Sequence, residues 1–434
     1  MLLATVRPFQ GILYDSEQVD LAQVVAPPYD VITADDQRRY YRQDPRNVVR
    51  LIAGEVRASD HPGDNKYSRA AGFFAEWLRT GVLKSEPSPC LYTYRQTFTV
   101  PGSEEVRSRT GLLCVVELEP LGTSVLGHER THARPKADRL SLTQAVEANL
   151  SPVFALYEDP SSAVRTILRA TAERTPRFTI TTEGGEGHTV WCVRGTEEFQ
   201  ALATALQPST LFIADGHHRY ETALNFRNRQ RLAHPQAPPD AAFNFVLMLL
   251  VATDDPGLMI LPTHRLLRGL NGFDARALIE RLRGRATVRE MHDRRSLLAA
   301  MEAEVAGHRI GFASAAGLWT LDLPRVAETD SPESALDVVA LHREVFEREL
   351  GLHEGILDSE LHLSYSRNPG YLMDQVDRRQ AQAAFLLRPP RISDVLAVAR
   401  AGEVMPQKST YFYPKPLSGV VFNPLSPAIR IHTV

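Results

Sequence analysis

Cysteine is almost missing from this chain: Cys90, Cys114 and Cys192 are the only three in 434 residues, with no CxxC pairing among them. An odd, sparse set excludes a disulfide framework and a thiolate zinc site, and leaves small buried thiols in a reducing compartment as the expectation. Long apolar runs are missing too, since no stretch approaches the roughly 20 residues that a membrane-spanning helix needs. The start MLLATVRPFQ lacks a long apolar core, so neither a signal peptide nor a membrane anchor is expected, and the reading is cytoplasmic. Positive charge is not in excess. The formal net charge is −3, so no global field favours nucleic acid, which is not an expected partner.

Lysine is scarce in a more informative way. Lys66, Lys84, Lys136, Lys408 and Lys415 stand against 44 arginines. Where arginine is the default cation, a retained lysine marks a place that wants a compact point charge in place of a planar fork. Three of the five, Lys136, Lys408 and Lys415, fall in the segments singled out below.

What is present is ordinary for a folded protein. Apolar residues make up 43% and charged residues 23%, and the length allows two or three domains. Apolar runs alternate with helical patterns throughout, which predicts an α/β (α+β) fold with mixed sheets. CLYTYRQTFTV and SRTGLLCVVELEP read as paired strands, Thr33 as a helix N-cap, and FNFVLMLLVA as a buried central strand. Three parts are expected: 1–106, 107–264 and 265–434, the last with a tail that would have to return if it serves the site.

The chemistry concentrates in FIADGHHRYETAL, Phe212 to Leu224. An apolar strand ends, Gly216 allows a turn, and a helical pattern begins. In that geometry backbone N–H groups converge on an anion. His217, His218 and Arg219 add side-chain donors, and Arg219 can take two phosphate oxygens at once. Asp215 is a poor neighbour for a bare phosphate, but it can orient a histidine or help to hold Mg²⁺. The plainer reading is a helix start with an aspartate cap and two exposed histidines. A metal site on His217 and His218 is disfavoured, because adjacent residues do not face one way on a helix.

These residues carry a resemblance. IADGHHRYETAL resembles the phosphate-binding segment of the ParB/sulfiredoxin-like superfamily, whose members bind CTP or ATP, and is most similar to the form in free L-serine kinases. Those enzymes carry a catalytic glutamate upstream in a turn containing His-Glu, and VLGHERTHARPKADRL supplies His128 and Glu129. Over its whole length the chain also resembles a bacterial family of unknown function, domain 1015, through VRPFQGILY, VVAPPYDVI, ANLSPVFALY, IADGHHRYETAL, GLMILPTHRL and MPQKSTYFYPK. The resemblance implies a ParB/sulfiredoxin-like nucleotide-binding core at 107–264. It implies Glu129 as general base with His128 beside it, and Asp215, Gly216, His217, His218 and Arg219 around the phosphates of ATP or ADP, with CTP the alternative and Mg²⁺ the ion.

Other polar segments offer lining residues. GHERTHARPKADRL brings Lys136 and Arg139, which would steady transferring charge, and Asp138 as a lining residue, although a solvated loop and first helical turn explain most of them. PTHRL places His264 and Arg265 at a strand end. MPQKSTYFYPKP places Lys408 and Ser409 ahead of three aromatics, without the glycine spacing of a P-loop. APPYDVI reads first as a proline-fixed bend, and otherwise sets Tyr29 and Asp30 in a cleft. The leading function is a nucleotide-dependent phosphotransferase acting on a small hydroxylated metabolite, with free L-serine first. Two other readings stay open: a ParB-like nucleotide switch, and a metal-dependent hydrolase built on His128, His217 and His218. The oligomeric state is left open.

Overall fold

The computed structural model describes residues 4–131, 133–325, 331–353 and 361–432. His132 and the side chains of Ala133 and Arg134, inside the His-Glu segment, lie outside the described part. The chain divides into two compact units. Unit 1 holds Met1–Gly127, Thr131–Leu258 and Pro414–Val434; unit 2 holds His128–Arg130 and Met259–Tyr413.

Unit 1 is built on a mixed sheet. In spatial order its strands are Val125–Leu126, Leu211–Asp215, Val153–Tyr157, Phe245–Ala252, Val106–Glu117, Leu91–Thr99, Gly187–Val193 and Phe178–Thr181, and Val6–Arg7 pairs with Val106–Glu117. Phe245–Ala252 runs parallel to Val153–Tyr157 and antiparallel to Val106–Glu117. All eight of its residues are buried, as its unbroken apolar run requires of a strand covered on both faces. Helices Ala133–Val146 and His217–Ala233 pack together over this part of the sheet. Thr33 closes a capping box with Asp36, accepting from its backbone N–H at 3.1 Å, as its place before the helical run predicts.

Unit 2 carries a six-stranded antiparallel sheet in the order Thr287–Met291, Gly317–Leu323, His308–Ser314, Ala383–Leu387, His264–Leu267 and Leu363–Ser366. Helices Arg294–Glu302 and Pro369–Asp377 cover its apolar face through Leu297, Leu372 and Met373.

Both units are α/β with mixed or antiparallel sheets, and their bounds differ from the three parts 1–106, 107–264 and 265–434. A cut between 106 and 107 falls inside a hairpin, because Leu91–Thr99 pairs with Val106–Glu117 from Tyr92↔Leu113 to Thr99↔Val106. A cut between 264 and 265 splits one strand, His264–Leu267. The tail from Pro414 belongs to unit 1, where Asn423–Pro424 pairs with Ala148–Asn149. The polar ARPKADRL stretch is helix already from Ala133, with Pro135 in the first turn, where its missing N–H costs nothing.

Candidate functional site

The strand Leu211–Asp215 is apolar and fully buried up to its last residue. Its pairing with Val153–Tyr157 slips between Ile213 and Asp215, where a bulge re-aims the strand end. Gly216 follows at φ +95°, in the left-handed region that glycine enters without strain. A β-carbon there would also stand 2.9 Å from the guanidinium of Arg219. The helix His217–Ala233 then begins, with the Tyr220 N–H donating to the Gly216 carbonyl at 3.0 Å.

Asp215 is the centre of this turn. Arg219, one helical turn on, donates to one of its oxygens and Lys415 donates to the other. Arg219 also donates to the Pro152 carbonyl. All three side chains are largely buried, at 10% exposure for Asp215, 12% for Arg219 and 9% for Lys415. Burial pushes the Asp215 carboxyl up, but the charges of Lys415 and Arg219 outweigh it and hold the group down at about 2. The carboxylate is therefore ionised throughout the physiological range.

Beside the turn lies a pocket enclosing about 530 Å³ of empty space, part of it open to solvent. Its polar lining includes Tyr29, Arg139, Asn149, Ser151, Arg219 and Thr222. The Arg139 guanidinium lies 4.0 Å from the centroid of the Tyr29 ring and donates to the Ile52 carbonyl at 2.6 Å. Asp138 grips the other edge of that guanidinium and also takes Lys66 and the Tyr67 hydroxyl. Burial raises the Asp138 pKa, and Arg139 and Lys66 overcome it, leaving it at about 2. Tyr29 is pushed up to about 12, chiefly by burial, so it remains a neutral hydroxyl. Two fixed guanidinium groups and hydroxyl and amide donors make a recess suited to an anionic or polar small molecule.

The candidates separate clearly on this geometry. Asp215, Gly216 and Arg219 meet in one turn, and Arg139 shares a pocket with Arg219. His217 is buried, its ring against Gly127, whereas His218 is only half-buried. Lys136 donates to Glu221 at 2.8 Å, and Thr131 does the same, which ties the segment after Glu129 to the helix. His128 and Glu129 belong to unit 2. There His128 is buried with Nε2 3.1 Å from the Thr410 hydroxyl.

His264, Arg265 and Ser409 lie in unit 2, where each makes hydrogen bonds to backbone groups. The His264 Nδ1 accepts the Leu387 N–H at 3.1 Å, and burial followed by the Arg265 charge holds its pKa at about 4. Arg265 is fully buried, donates to the carbonyls of Thr263, Gln407 and Lys408, and is lowered to about 10 by burial. Ser409 donates to the Pro406 carbonyl, and the Lys408 ammonium lies 4.4 Å from the Tyr365 ring centroid.

Mg²⁺ held by Asp215 does not fit this arrangement. Both carboxylate oxygens already carry a cation, and two fixed positive charges repel a third. Among the described residues, the one group of three potential metal ligands is Glu86, Cys90 and Cys192, and it contains none of the proposed histidines.

Lys415 is absent from the site residues expected from the sequence, and Tyr29 enters there only as the second reading of its segment. The scarcity of lysine is the signal for Lys415, and Lys408 in the same stretch carries it equally. The proline pair before Tyr29 pointed first to a bend.

A stability prediction follows from the depressed Asp215 pKa. A carboxyl held below its ordinary value of 3.8 contributes stability that is complete above that value and is lost as pH falls through about 2. The gap in urea midpoint between the native chain and Asp215→Asn is therefore expected to be constant near neutrality and to shrink between about pH 4 and 2. A gap that widens with acidification would contradict the ionised state.

The fold and this turn define a mixed α/β protein with a charged strand–glycine–helix corner. The chain belongs to the family described as Protein of unknown function (DUF1015), whose model matches residues 6–339. No curated protein matches the sequence. Three solved structures are similar at low identity. A conserved hypothetical protein from Pyrococcus furiosus is 16% identical with a TM-score of 0.35, covering 70% of this chain and 92% of its own. A free serine kinase in complex with AMP is 14% identical with a TM-score of 0.35, covering 69% and 86%. SbnI from Staphylococcus aureus, with a C-terminal truncation, is 11% identical with a TM-score of 0.33, covering 70% and 85%. No helix among the described residues is long and apolar enough to cross a membrane.

Proposed function

We propose that this protein is a nucleotide-dependent phosphotransferase acting on a small hydroxylated metabolite, with free L-serine as the first candidate acceptor. The single observation that carries the reading is the turn at Asp215–Arg219. A strand end, a left-handed glycine and a helix start stand together with two cations whose positions one buried carboxylate sets. Helix N-termini of this kind favour anions through their N–H groups and dipole. Asp215 acts as an organiser. It orients Arg219 and Lys415, and the guanidinium has five N–H donors, more than its contacts to Asp215 and Pro152 use.

In this reading the segment is ParB/sulfiredoxin-like and takes the phosphates of ATP or ADP. Glu129 removes the proton from the attacking hydroxyl, and the fixed cations stabilise charge on the transferring group. Phosphoryl transfer asks little more of a protein than such positioning and electrostatics. The pocket lined by Tyr29, Arg139 and Arg219 suits the polar acceptor.

The test is a screen of purified protein for ATP, ADP and CTP turnover with and without L-serine, followed by phosphorus NMR. Serine-dependent formation of a phosphomonoester is expected. Arg219→Ala should weaken nucleotide binding by about 10- to 100-fold, the loss of one charge-assisted contact pair, as read by calorimetry. Unchanged affinity in a folded variant would remove the turn from nucleotide binding.

A further inference from the structure

Cys90 and Cys192 are 102 positions apart in the chain, yet the sheet brings them together. Leu91 pairs with Val193 and Tyr92 with Cys192 across antiparallel strands. Cys90 and Cys192 are therefore diagonal neighbours on one face, where long or polarisable side chains meet. Their sulfurs and a carboxylate oxygen of Glu86 all lie within 4.8 Å of one another. The Nε of Arg194 donates to the Cys90 sulfur at 3.3 Å, and the same guanidinium reaches Glu86. Arg177 donates to Glu86 as well, at 2.9 Å.

The cluster looks at first like a metal site of two thiols and a carboxylate. The two guanidinium groups on Glu86 argue otherwise, since they consume its oxygens and repel a cation. What the arrangement favours is negative charge on sulfur. The neighbouring Cys192 thiol and Arg194 bring Cys90 down to about 7 against the cost of burial, and push the second ionisation of the pair, at Cys192, upward. Cys90 itself is buried, and Cys192 is partly exposed.

We propose that Cys90 and Cys192 form a redox-active dithiol that closes to an intramolecular disulfide when a small hydroperoxide oxidises it. The Cys90 thiolate attacks the terminal oxygen of the hydroperoxide. An S–O bond forms, the O–O bond breaks, and the departing alkoxide or hydroxide takes a proton from solvent. The Cys192 thiol then attacks the Cys90 sulfur. The S–S bond forms, the S–O bond breaks, and water leaves with the Cys192 proton. Two sulfurs are oxidised and one peroxide is reduced. Cys114 serves as an internal control: it is fully buried in the core, and burial alone pushes its thiol far up.

The experiment treats the reduced full-length protein with hydrogen peroxide, then counts thiols and maps linkages by mass spectrometry. The expected result is loss of two of the three thiols, a peptide joining Cys90 to Cys192, an intact Cys114 thiol and full reversal by dithiothreitol. Cys192→Ser should halt the sequence at a Cys90 sulfenic acid that dimedone traps. Because the linkage is read on the native chain, a poorly folding variant does not blunt the test. Survival of all three thiols, linkage through Cys114 or between two chains, or stoichiometric zinc shielding the pair would each overturn the proposal.

Discussion

Asp215→Ala is expected to lower the unfolding free energy by about 3–5 kcal/mol, the usual result of removing one partner from a buried charge cluster. The size comes from what is left behind. Lys415 and Arg219 keep their charges, with side chains only 9% and 12% exposed, and lose the group that balanced them. The carboxylate also joins three distant parts of unit 1: the strand end, the helix and the returning tail. The control is Asp215→Ala combined with Lys415→Met. If charge imbalance is the cause, the double variant recovers part of the loss, and a double-mutant cycle in urea measures the coupling. A single-variant loss below about 1 kcal/mol, the range of exposed pairs, would show that the cluster is hydrated and of little structural weight.

Glu129→Gln carries the largest expected effect on activity. Gln keeps the size and hydrogen-bonding reach of the side chain and removes its ability to accept a proton. Under the proposed mechanism the transfer rate falls by about 100- to 10,000-fold, the range for a general base. Nucleotide affinity should stay within about twofold, since no phosphate contact depends on this group. The backbone around it is anchored independently of the side chain. Glu129 bridges Met405, and the Met405 N–H donates to the His128 carbonyl at 2.8 Å, so the variant is expected to fold. Stopped-flow or NMR rates set beside calorimetric affinity give the split. Equal losses in both would make Glu129 a structural carboxylate and leave the phosphotransferase reading without its base.

Much of the local structure was legible in the sequence. Thr33 caps its helix because its side chain reaches only its own first turn. FIADGHHRYETAL shows its strand, turn and helix because one apolar run, one glycine and one change of period specify them within 13 residues. The Asp215–Arg219 pair is likewise local, the strand's last residue meeting the helix's first turn four positions on. The burial of Phe245–Ala252 follows from its lack of polar residues.

Domain division was not legible in this way. Val106–Glu117 is paired at once with strands near residues 6, 95 and 248, and no composition shift marks such partners. The fate of the basic residues was hidden for the same reason. His264 and Arg265 look like site residues at a strand end, and only packing shows the His264 Nδ1 and the terminal nitrogens of Arg265 on backbone groups.

The amino-acid sequence alone determined the α/β class, the charged corner after Ala214 and the residue types available to grip an anion, because helix, strand and turn preferences act over a few neighbours. Only the tertiary structure decided that Lys415, 200 positions from Asp215, completes that corner, and that Cys90 and Cys192 stand side by side. Those encounters depend on strand register and on the return of the tail to unit 1, which many distant contacts set together and no short stretch of sequence encodes.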